Sequence, residues 1–229
     1  MKRLIDEVFL EAFDAPELHA GNDAGVAALP PTGRIALSTD TFVVTPHTFP
    51  GGDIGRLTVN DVATSGAHVR YLSCGFVIEE GFFLDDLRRI CKSMAEAARE
   101  ANVAIITGDT KVVERGCADG IYLNTAGVGD VPEGVNLASS ACEPGDIVLV
   151  SGTLGDHGIA IMSVREGLSF QTSIVSDAAP LNGLVAAVLE AAPHVRCFRD
   201  PTRGGLASTL NEFAIASCVD IEIDEDAVP

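Results

Sequence analysis

The sequence has few positive charges. Its 229 residues include 15 Lys and Arg against 33 Asp and Glu, which gives a formal net charge of -18 at pH 7. A chain with this balance repels polyanions over most of its surface, so we expect neither a nucleic acid nor an anionic membrane as a partner. A nucleotide can still bind where divalent cations bridge its phosphates to carboxylates.

Several common sequence signals are also missing. The six cysteines include no Cys-x-x-Cys pair, which argues against a zinc site and for reduced, mostly buried thiols. The opening stretch, MKRLIDEVFLEAF, has charges among its apolar residues and does not have the pattern of a signal peptide. No apolar run is long enough to span a membrane. The predicted location is therefore the cytoplasm.

Apolar residues, by contrast, make up 47% of the chain, and the mean hydropathy is +0.27, so we expect a substantial core. Helical spacing predicts a first helix over residues 4–12 and a long helix over residues 84–101, with Cys91 and Met94 in the core. Two later helices are predicted over residues 181–191 and from the Asp200–Gly205 motif to about Ser217. Strands are predicted at residues 34–37, 70–78, 103–107, 121–128, 147–150, 195–198 and 219–223. A turn at residues 143–146 is the candidate boundary between two domains, 1–143 and 144–229.

Polar residues follow the most strongly predicted buried strand, at residues 103–107. We expect that strand to stop at Gly108, so that Asp109, Thr110 and Lys111 stand at its carboxyl end. An open α/β sheet usually places its ligand crevice there. A carboxylate, a hydroxyl and an ammonium in a row could hold a metal-bound phosphate, although the same residues also suit a polar turn with a solvated lysine.

Two other acids occur in comparable positions. Asp40 is predicted at a strand end, between two extended pieces, and Asp61 follows Asn60 in a stretch of small residues. Together with Asp109 they supply carboxylates from three separate elements, an oxygen-rich set that suits Mg²⁺. Taken alone, Asp40 is equally suited to capping a turn.

A glycine-rich turn marks the second half of the chain. Gly152, Gly155 and Gly158 follow the predicted strand at residues 147–150 and could cradle a phosphate, but the spacing is neither a P-loop nor a dinucleotide-binding fingerprint. His157 in this turn could act as an acid or a base, but a structural hydrogen bond is the favoured interpretation.

Five motifs in a fixed order resemble the HypE family of hydrogenase maturation proteins. This family belongs to the superfamily of aminoimidazole ribonucleotide (AIR) synthetase, selenophosphate synthetase and thiamine-monophosphate kinase. The motifs are Ser38-Thr39-Asp40, Asn60-Asp61-Val62-Ala63, Gly108-Asp109-Thr110-Lys111, the segment SGTLGDHG at residues 151–158, and Asp200-Pro201-Thr202-Arg203-Gly204-Gly205. The acidic motifs are shared by the superfamily, whereas GDTKVV, LSCGF and SGTLGDHG point to HypE. The resemblance covers nearly the whole chain.

The resemblance implies an α/β (α+β) fold of the PurM-like, two-domain type. Residues 1–143 would form an ATP-binding domain with a mixed sheet, flanking helices and the ability to pair with a twin into a dimeric β-barrel. Each ATP would then lie near a subunit boundary. Residues 144–229 would begin a second α/β domain. The rest of that domain and a cysteine-bearing tail are expected beyond Pro229, so the 229 residues alone should be inactive.

The resemblance also implies an activity. Proteins of this family use ATP to dehydrate a carbamoyl group, carried as a thiocarboxamide on their own C-terminal cysteine, to a thiocyanate. This product supplies the cyanide ligands of the [NiFe]-hydrogenase iron. Phosphorylation converts the amide oxygen, a poor leaving group, into a good one. The expected partners are a second copy of the chain, HypF and the HypC–HypD complex.

Carried over motif by motif, the resemblance assigns site residues. Lys111 and Asp61 would be catalytic, with Lys111 contacting phosphate or the carbamoyl group and taking part in proton transfer. The Mg²⁺ ligands or their supporting groups would be Asp23, Asp40, Asp53, Asp61 and Asp109. Nucleotide contacts would come from Asn60, Thr107, Gly108, Thr110, Lys111, Asp200, Thr202 and Arg203.

The chain departs from the family pattern in two places. The glycine-rich segment that precedes the first helix in the family is absent, and a Cys-Gly piece is missing between Leu57 and Asn60. Two other functions stay open. One is a different ATP-dependent enzyme of the superfamily, such as selenophosphate synthetase or thiamine-monophosphate kinase. The other is a non-catalytic scaffold that docks maturation partners.

Overall fold

The computed structural model describes residues 4–16, 33–58, 66–167, 174–202 and 204–229. The first helix, α1, is π-helical over Ile5–Leu10 and α-helical over Glu11–Phe13. The other helices are α2 (Ile54–Leu57), α3 (Leu84–Glu100), α4 (Asp156–Arg165), α5 (Asn182–Ala191), α6 (Gly205–Ser217) and a 3-10 turn at Glu225–Ala227. The strands are β1 (Ile35–Phe42), β2 (Thr48–Phe49), β3 (Gly52–Asp53), β4 (His68–Glu79), β5 (Ala104–Val113) and β6 (Ile121–Asp130). No helix in these ranges is long and apolar enough to cross a membrane.

Four strands form one mixed sheet in the order β1-β6-β4-β5. Strand β6 is antiparallel to both β1 and β4, whereas β4 and β5 are parallel. Alternate residues of β4 are buried, from Leu72 through Cys74 and Phe76 to Ile78. This period of two gives the sheet a core face and an opposite face, which we call the open face.

Helix α3 covers the core face, and its predicted position is confirmed. The apolar stripe of α3 packs against Leu123 of β6 and against α1. Phe9 of α1 also contacts the sheet, since its ring lies 4.7 Å from the ring of Phe76 on β4. Cys91 and Met94 are fully buried, as expected for core residues. Helix α1 ends at Asp14, whose left-handed backbone (φ 44°) turns the chain away. The prediction of a mixed α/β fold is therefore confirmed.

Two predicted strand ends are wrong. Strand β5 does not stop at Gly108, because its parallel pairing with β4 continues to Val113. Gly108 serves instead to bring two backbones together, since an added Cβ there would lie 2.2 Å from the carbonyl oxygen of Cys74. Asp40 likewise lies inside β1, where pairing with Thr125 keeps the chain extended. Cross-strand pairing thus overrides the local turn signal at both positions.

Three strands predicted in the second half are wrong within the described residues. Residues 147–150, 195–198 and 219–223 belong to no sheet. The apolar run at 147–150 is exposed rather than buried, with Ile147 at 83% and Leu149 at 85%. A β-type sequence forms a ladder only where a second strand lies beside it, and no described segment forms a strand ladder with these three. The helices predicted over 181–191 and up to Ser217 are confirmed as α5 and α6.

Candidate active site

A row of polar groups crosses the open face of the sheet. The strand registers place Thr41, Asn124, Gly75 and Asp109 side by side on β1, β6, β4 and β5. The Asn124 amide donates to Thr41 Oγ1 at 2.9 Å and to Thr39 Oγ1 at 3.2 Å. These bonds fix the β1 end of the row, and Asp109 occupies the other end.

Asp109 and Lys111 form an exposed ion pair at that end. They are two residues apart on one strand and share the open face, with Lys111 Nζ 3.2 Å from Asp109 Oδ2 and both side chains 71% exposed. Lys111 holds the pKa of Asp109 below its usual value, and the Thr110 N–H, 2.8 Å from Asp109 Oδ1, adds to this. Exposed pairs of this kind are weak, so the ammonium is free to turn toward a phosphate. Thr107 lies two residues before Asp109 on β5, where it pairs with Ser73 of β4.

Asp40 lies on the other side of the sheet. It alternates with Thr39 and Thr41 and shares the core face with Phe42, which packs against the core. Its cross-strand partner Thr125 is buried and donates from Oγ1 to the carbonyl oxygen of Thr58 at 3.0 Å. Thr58 leads toward Asn60 and Asp61, which lie outside the described residues together with Asp23 and Arg203. The structure therefore places Asp40 beside the approach to the Asn-Asp motif but does not bring it onto the face that carries Lys111.

Asp53 stabilises the start of helix α2. Its Oδ1 accepts the Arg56 N–H at 2.9 Å and so caps the start of α2. Burial raises the pKa of Asp53, against the opposing effects of its bonds to Arg56, Ser93 and Gly55. These bonds already occupy much of its capacity to accept, so Asp53 is less suited than Asp40 to bind a metal.

Asp200 and Thr202 lie in the turn that opens α6. The Thr202 N–H donates to the Asp200 carbonyl and the Gly205 N–H donates to the Thr202 carbonyl, each at 3.1 Å. The Thr202 side chain is exposed, and the Asp200 side chain is half-buried. Within the described part of the chain, no three Asp, Glu, His or Cys side chains are close enough to form a metal cluster.

The sequence interpretation missed Asn124 and Thr125. Both sit in β6 and looked like ordinary strand residues, yet one orders the open-face row and the other links β6 to Thr58. An Asn within a β-type run, where this residue is uncommon, was the available signal.

His157 makes the structural hydrogen bond that its sequence position favoured. Its Nδ1 lies 3.0 Å from Ser176 Oγ, and its ring meets Phe49 edge-on with centroids 5.3 Å apart. Ser176 in turn donates its N–H to the Pro50 carbonyl at 2.8 Å. His157 therefore connects the start of α4 to the β2–β3 hairpin that carries Asp53.

Burial lowers the pKa of His157, with Asp177 acting in the opposite direction. The unfolded chain takes up a proton below about pH 6.5, whereas the folded chain resists it to a lower pH, so folding stability should fall as pH drops from about 6.5 toward the folded pKa. We expect His157→Gln to flatten this slope in urea unfolding measured between pH 7.5 and 5. His194→Gln, at an exposed imidazole, is the control, and equal slopes for wild type and His157→Gln would contradict the assignment.

Comparison with known proteins identifies the family of the chain. The family model "AIR synthase related protein, N-terminal domain" matches residues 21–131, and the corresponding C-terminal domain matches residues 143–229. Carbamoyl dehydratase HypE of Rhizobium leguminosarum bv. viciae is 55% identical over 234 aligned residues, which cover all of this chain and 67% of that protein. The chain belongs to the HypE family. HypE of Escherichia coli K12 is 47% identical over 237 aligned residues, which cover all of this chain and 70% of that protein.

Solved structures lead to the same family. A HypE structure in complex with ATP has a TM-score of 0.91 at 49% identity, covering 94% of this chain and 65% of that one. A HypE–HypF complex structure has a TM-score of 0.84 at 50% identity, covering 99% and 74%. Thiamine-monophosphate kinase from Stenotrophomonas maltophilia, with a TM-score of 0.75 at 23% identity, shows the shared PurM-like fold alone.

Membership in the HypE family connects the chain with hydrogenase maturation. Its curated relatives named carbamoyl dehydratases are enzymes, and one HypE structure holds ATP. The chain spans about two thirds of the length of these relatives.

Proposed function

We propose that the full-length protein uses ATP to dehydrate a carbamoyl group, carried as a thiocarboxamide on its own C-terminal cysteine, to a thiocyanate. The thiocyanate would supply the cyanide ligands of the [NiFe]-hydrogenase iron. The observation that carries the proposal is 55% identity to a carbamoyl dehydratase across the whole chain. The exposed Asp109–Lys111 pair gives this chain a solvent-accessible cation where a phosphoryl group could be bound.

The chemistry requires alignment and charge neutralisation. The γ-phosphoryl group must meet the amide oxygen in line, and the charge on its oxygens must be balanced. Lys111 can reach a phosphate or the carbamoyl group from the open face and can pass a proton once the oxygen is phosphorylated. Asp109 pairs with the Lys111 ammonium at 3.2 Å until a ligand displaces the pair.

Magnesium fits the oxygen donors of the chain. Asp40 and Asp61 are the proposed ligands, because Asp40 lies next to the strand that contacts Thr58 on the way to the Asn-Asp motif. Asp23 and Asp109 would be further ligands, and Asp53 would support the site by capping α2. When bound, Mg²⁺ would neutralise phosphate charge. The proposed nucleotide contacts are Asn60, Thr107, Gly108, Thr110, Lys111, Asp200, Thr202 and Arg203.

The open face of the sheet suits pairing between two copies of the chain. The open face bears exposed apolar side chains, among them Ile35 and Leu37, that a second copy would cover. We propose that two chains pair through this face into a β-barrel and that each ATP lies near the subunit boundary. By relationship, HypF and the HypC–HypD complex are the proposed further partners, and the cytoplasm is the proposed location.

ATP hydrolysis by the full-length protein tests the proposal. Wild type should hydrolyse ATP in the presence of Mg²⁺, and Asp61→Ala should lose most of that rate. Asp85→Ala, which removes an exposed carboxylate from α3, is the matched control and should keep it. Equal rates for wild type and Asp61→Ala would favour the scaffold alternative. Product formation from selenide or thiamine monophosphate would instead indicate another enzyme of the superfamily.

A further inference from the structure

Two cysteines from distant parts of the sequence meet in the second half of the chain. The Sγ atoms of Cys142 and Cys197, 55 residues apart in sequence, are 3.6 Å apart and hydrogen-bonded. Both thiols are free and half-buried. The proposed ATP chemistry uses neither of them.

The backbone on the Cys197 side is held in place by charged groups. Arg196 Nη2 lies 2.6 Å from Glu143 Oε2, and Arg196 Nε lies 2.8 Å from Asp146 Oδ2. The Ala138 N–H donates to the Arg196 carbonyl at 3.0 Å. These contacts join the residues that follow the first family-model match to the segment around Cys197.

The Cys142 side is fixed through a serine. The Cys142 N–H donates to Ser217 Oγ at 3.1 Å, and the Ser217 hydroxyl donates to the Ser139 carbonyl at 3.0 Å. The end of α6 therefore holds Cys142 from one side while Arg196 holds the neighbouring turn. Since both backbones are anchored, the two sulfurs stay adjacent.

Two adjacent thiols can bind a soft metal or form a disulfide. A metal site needs more than two ligands in most proteins, and among the residues that the structure describes no group of three metal-ligating side chains occurs. We propose that Cys142 and Cys197 are a redox modification site that forms a reversible intramolecular disulfide by exchange with a small-molecule disulfide such as oxidised glutathione.

The exchange takes place in two balanced steps. The Cys142 thiolate attacks one glutathione sulfur, forms a mixed disulfide and releases one glutathione thiolate. The Cys197 thiolate then attacks the Cys142 sulfur and releases the second. The two cysteines lose two electrons and two protons, and oxidised glutathione is reduced to two thiols.

The environment of Cys197 sets the speed of the closing step. Burial, with a contribution from the Cys142 thiol, raises the pKa of Cys197 to about 12. Since the thiolate is the attacking species, closure by Cys197 should be slow. The rate of closure should therefore rise with pH. The disulfide would tie the segment between the two family-model matches covalently to the segment around Arg196.

Mass spectrometry of the full-length protein tests the proposal. The protein is treated with oxidised glutathione at pH 8, its remaining thiols are alkylated, and its peptides are analysed. We expect a peptide pair cross-linked between Cys142 and Cys197, lighter by two hydrogens and released by dithiothreitol. The cross-link should disappear in both Cys142→Ser and Cys197→Ser.

The exposed Cys117 and Cys218 serve as internal controls for thiol reactivity. They should be recovered as single glutathione adducts, since each lacks a neighbouring thiol among the described residues. Recovery of Cys142 and Cys197 as alkylated thiols or as separate glutathione adducts, while Cys117 and Cys218 react, would overturn the proposal. This outcome is read on wild type and does not depend on whether the variants fold.

Discussion

Replacing Lys111 by Met should lower the rate of ATP-dependent dehydration by roughly 10²-fold or more, the usual loss when one group that stabilises transition-state charge is removed. Methionine keeps much of the length of the side chain but removes the ammonium that would face the transferred phosphoryl group. Because Lys111 is exposed on the open face and takes no part in the core, folding should be unaffected. The measurement is single-turnover conversion of the carbamoylated full-length protein with saturating Mg²⁺-ATP.

Lys92→Met is the matched control for this experiment. Lys92 is an exposed lysine on α3, the helix that covers the core face. Its replacement therefore removes one positive charge on the side of the sheet opposite to Lys111. The rate of Lys92→Met should stay within about twofold of the wild-type rate. In Lys111→Met, the Kd for ATP should change far less than the rate of dehydration. A wild-type rate in Lys111→Met would remove Lys111 from the mechanism.

Replacing Gly108 by Ala should cost about 3 kcal/mol of folding free energy, at the upper end of what overpacking usually costs. The added Cβ would lie 2.2 Å from the Cys74 carbonyl oxygen, which is a backbone atom within the β4–β5 pairing. It cannot move aside without separating the two strands. Asp109, the next residue, would shift with the strand, so activity should fall together with stability.

Gly75→Ala is the control for Gly108→Ala, because Gly75 pairs with Asp109 on the neighbouring strand. A Cβ at Gly75 would lie 3.7 Å from the Asn124 carbonyl oxygen, an ordinary contact. Urea unfolding followed by circular dichroism should show a change of less than about 1 kcal/mol for this variant. Similar stabilities for Gly108→Ala and Gly75→Ala would contradict the role given to Gly108.

Local sequence patterns predicted the elements that are strongly periodic. Helix α3 and strands β4 and β6 bury regular apolar positions, and their spacing alone indicated both their type and their place. The predictions failed where pairing decides the outcome. Gly108 and Asp40 are residue types that are common in turns, but pairing with the neighbouring strands keeps the backbone extended at both positions. Residues 147–150 have β-type side chains but no strand beside them in the described structure.

The candidate site was predictable in its residue types and not in its geometry. The motifs identified Asp40, Asp109 and Lys111, and the Asp109–Lys111 contact follows from their spacing on one strand. The face on which each side chain lies depends on register and on the extra residue, Ile106, that β5 carries between the pairs of Leu72 and Ser73. A one-residue shift of this kind moves every later side chain to the other face, so the separation of Asp40 from Lys111 could be seen only in the structure.

The most direct test of the proposed function is the intact mass of the full-length protein whose C-terminal cysteine carries a carbamoyl group. On addition of Mg²⁺-ATP, we predict the loss of one water molecule from that cysteine, with no loss when ATP or Mg²⁺ is left out. An unchanged mass in the presence of bound Mg²⁺-ATP would contradict the account.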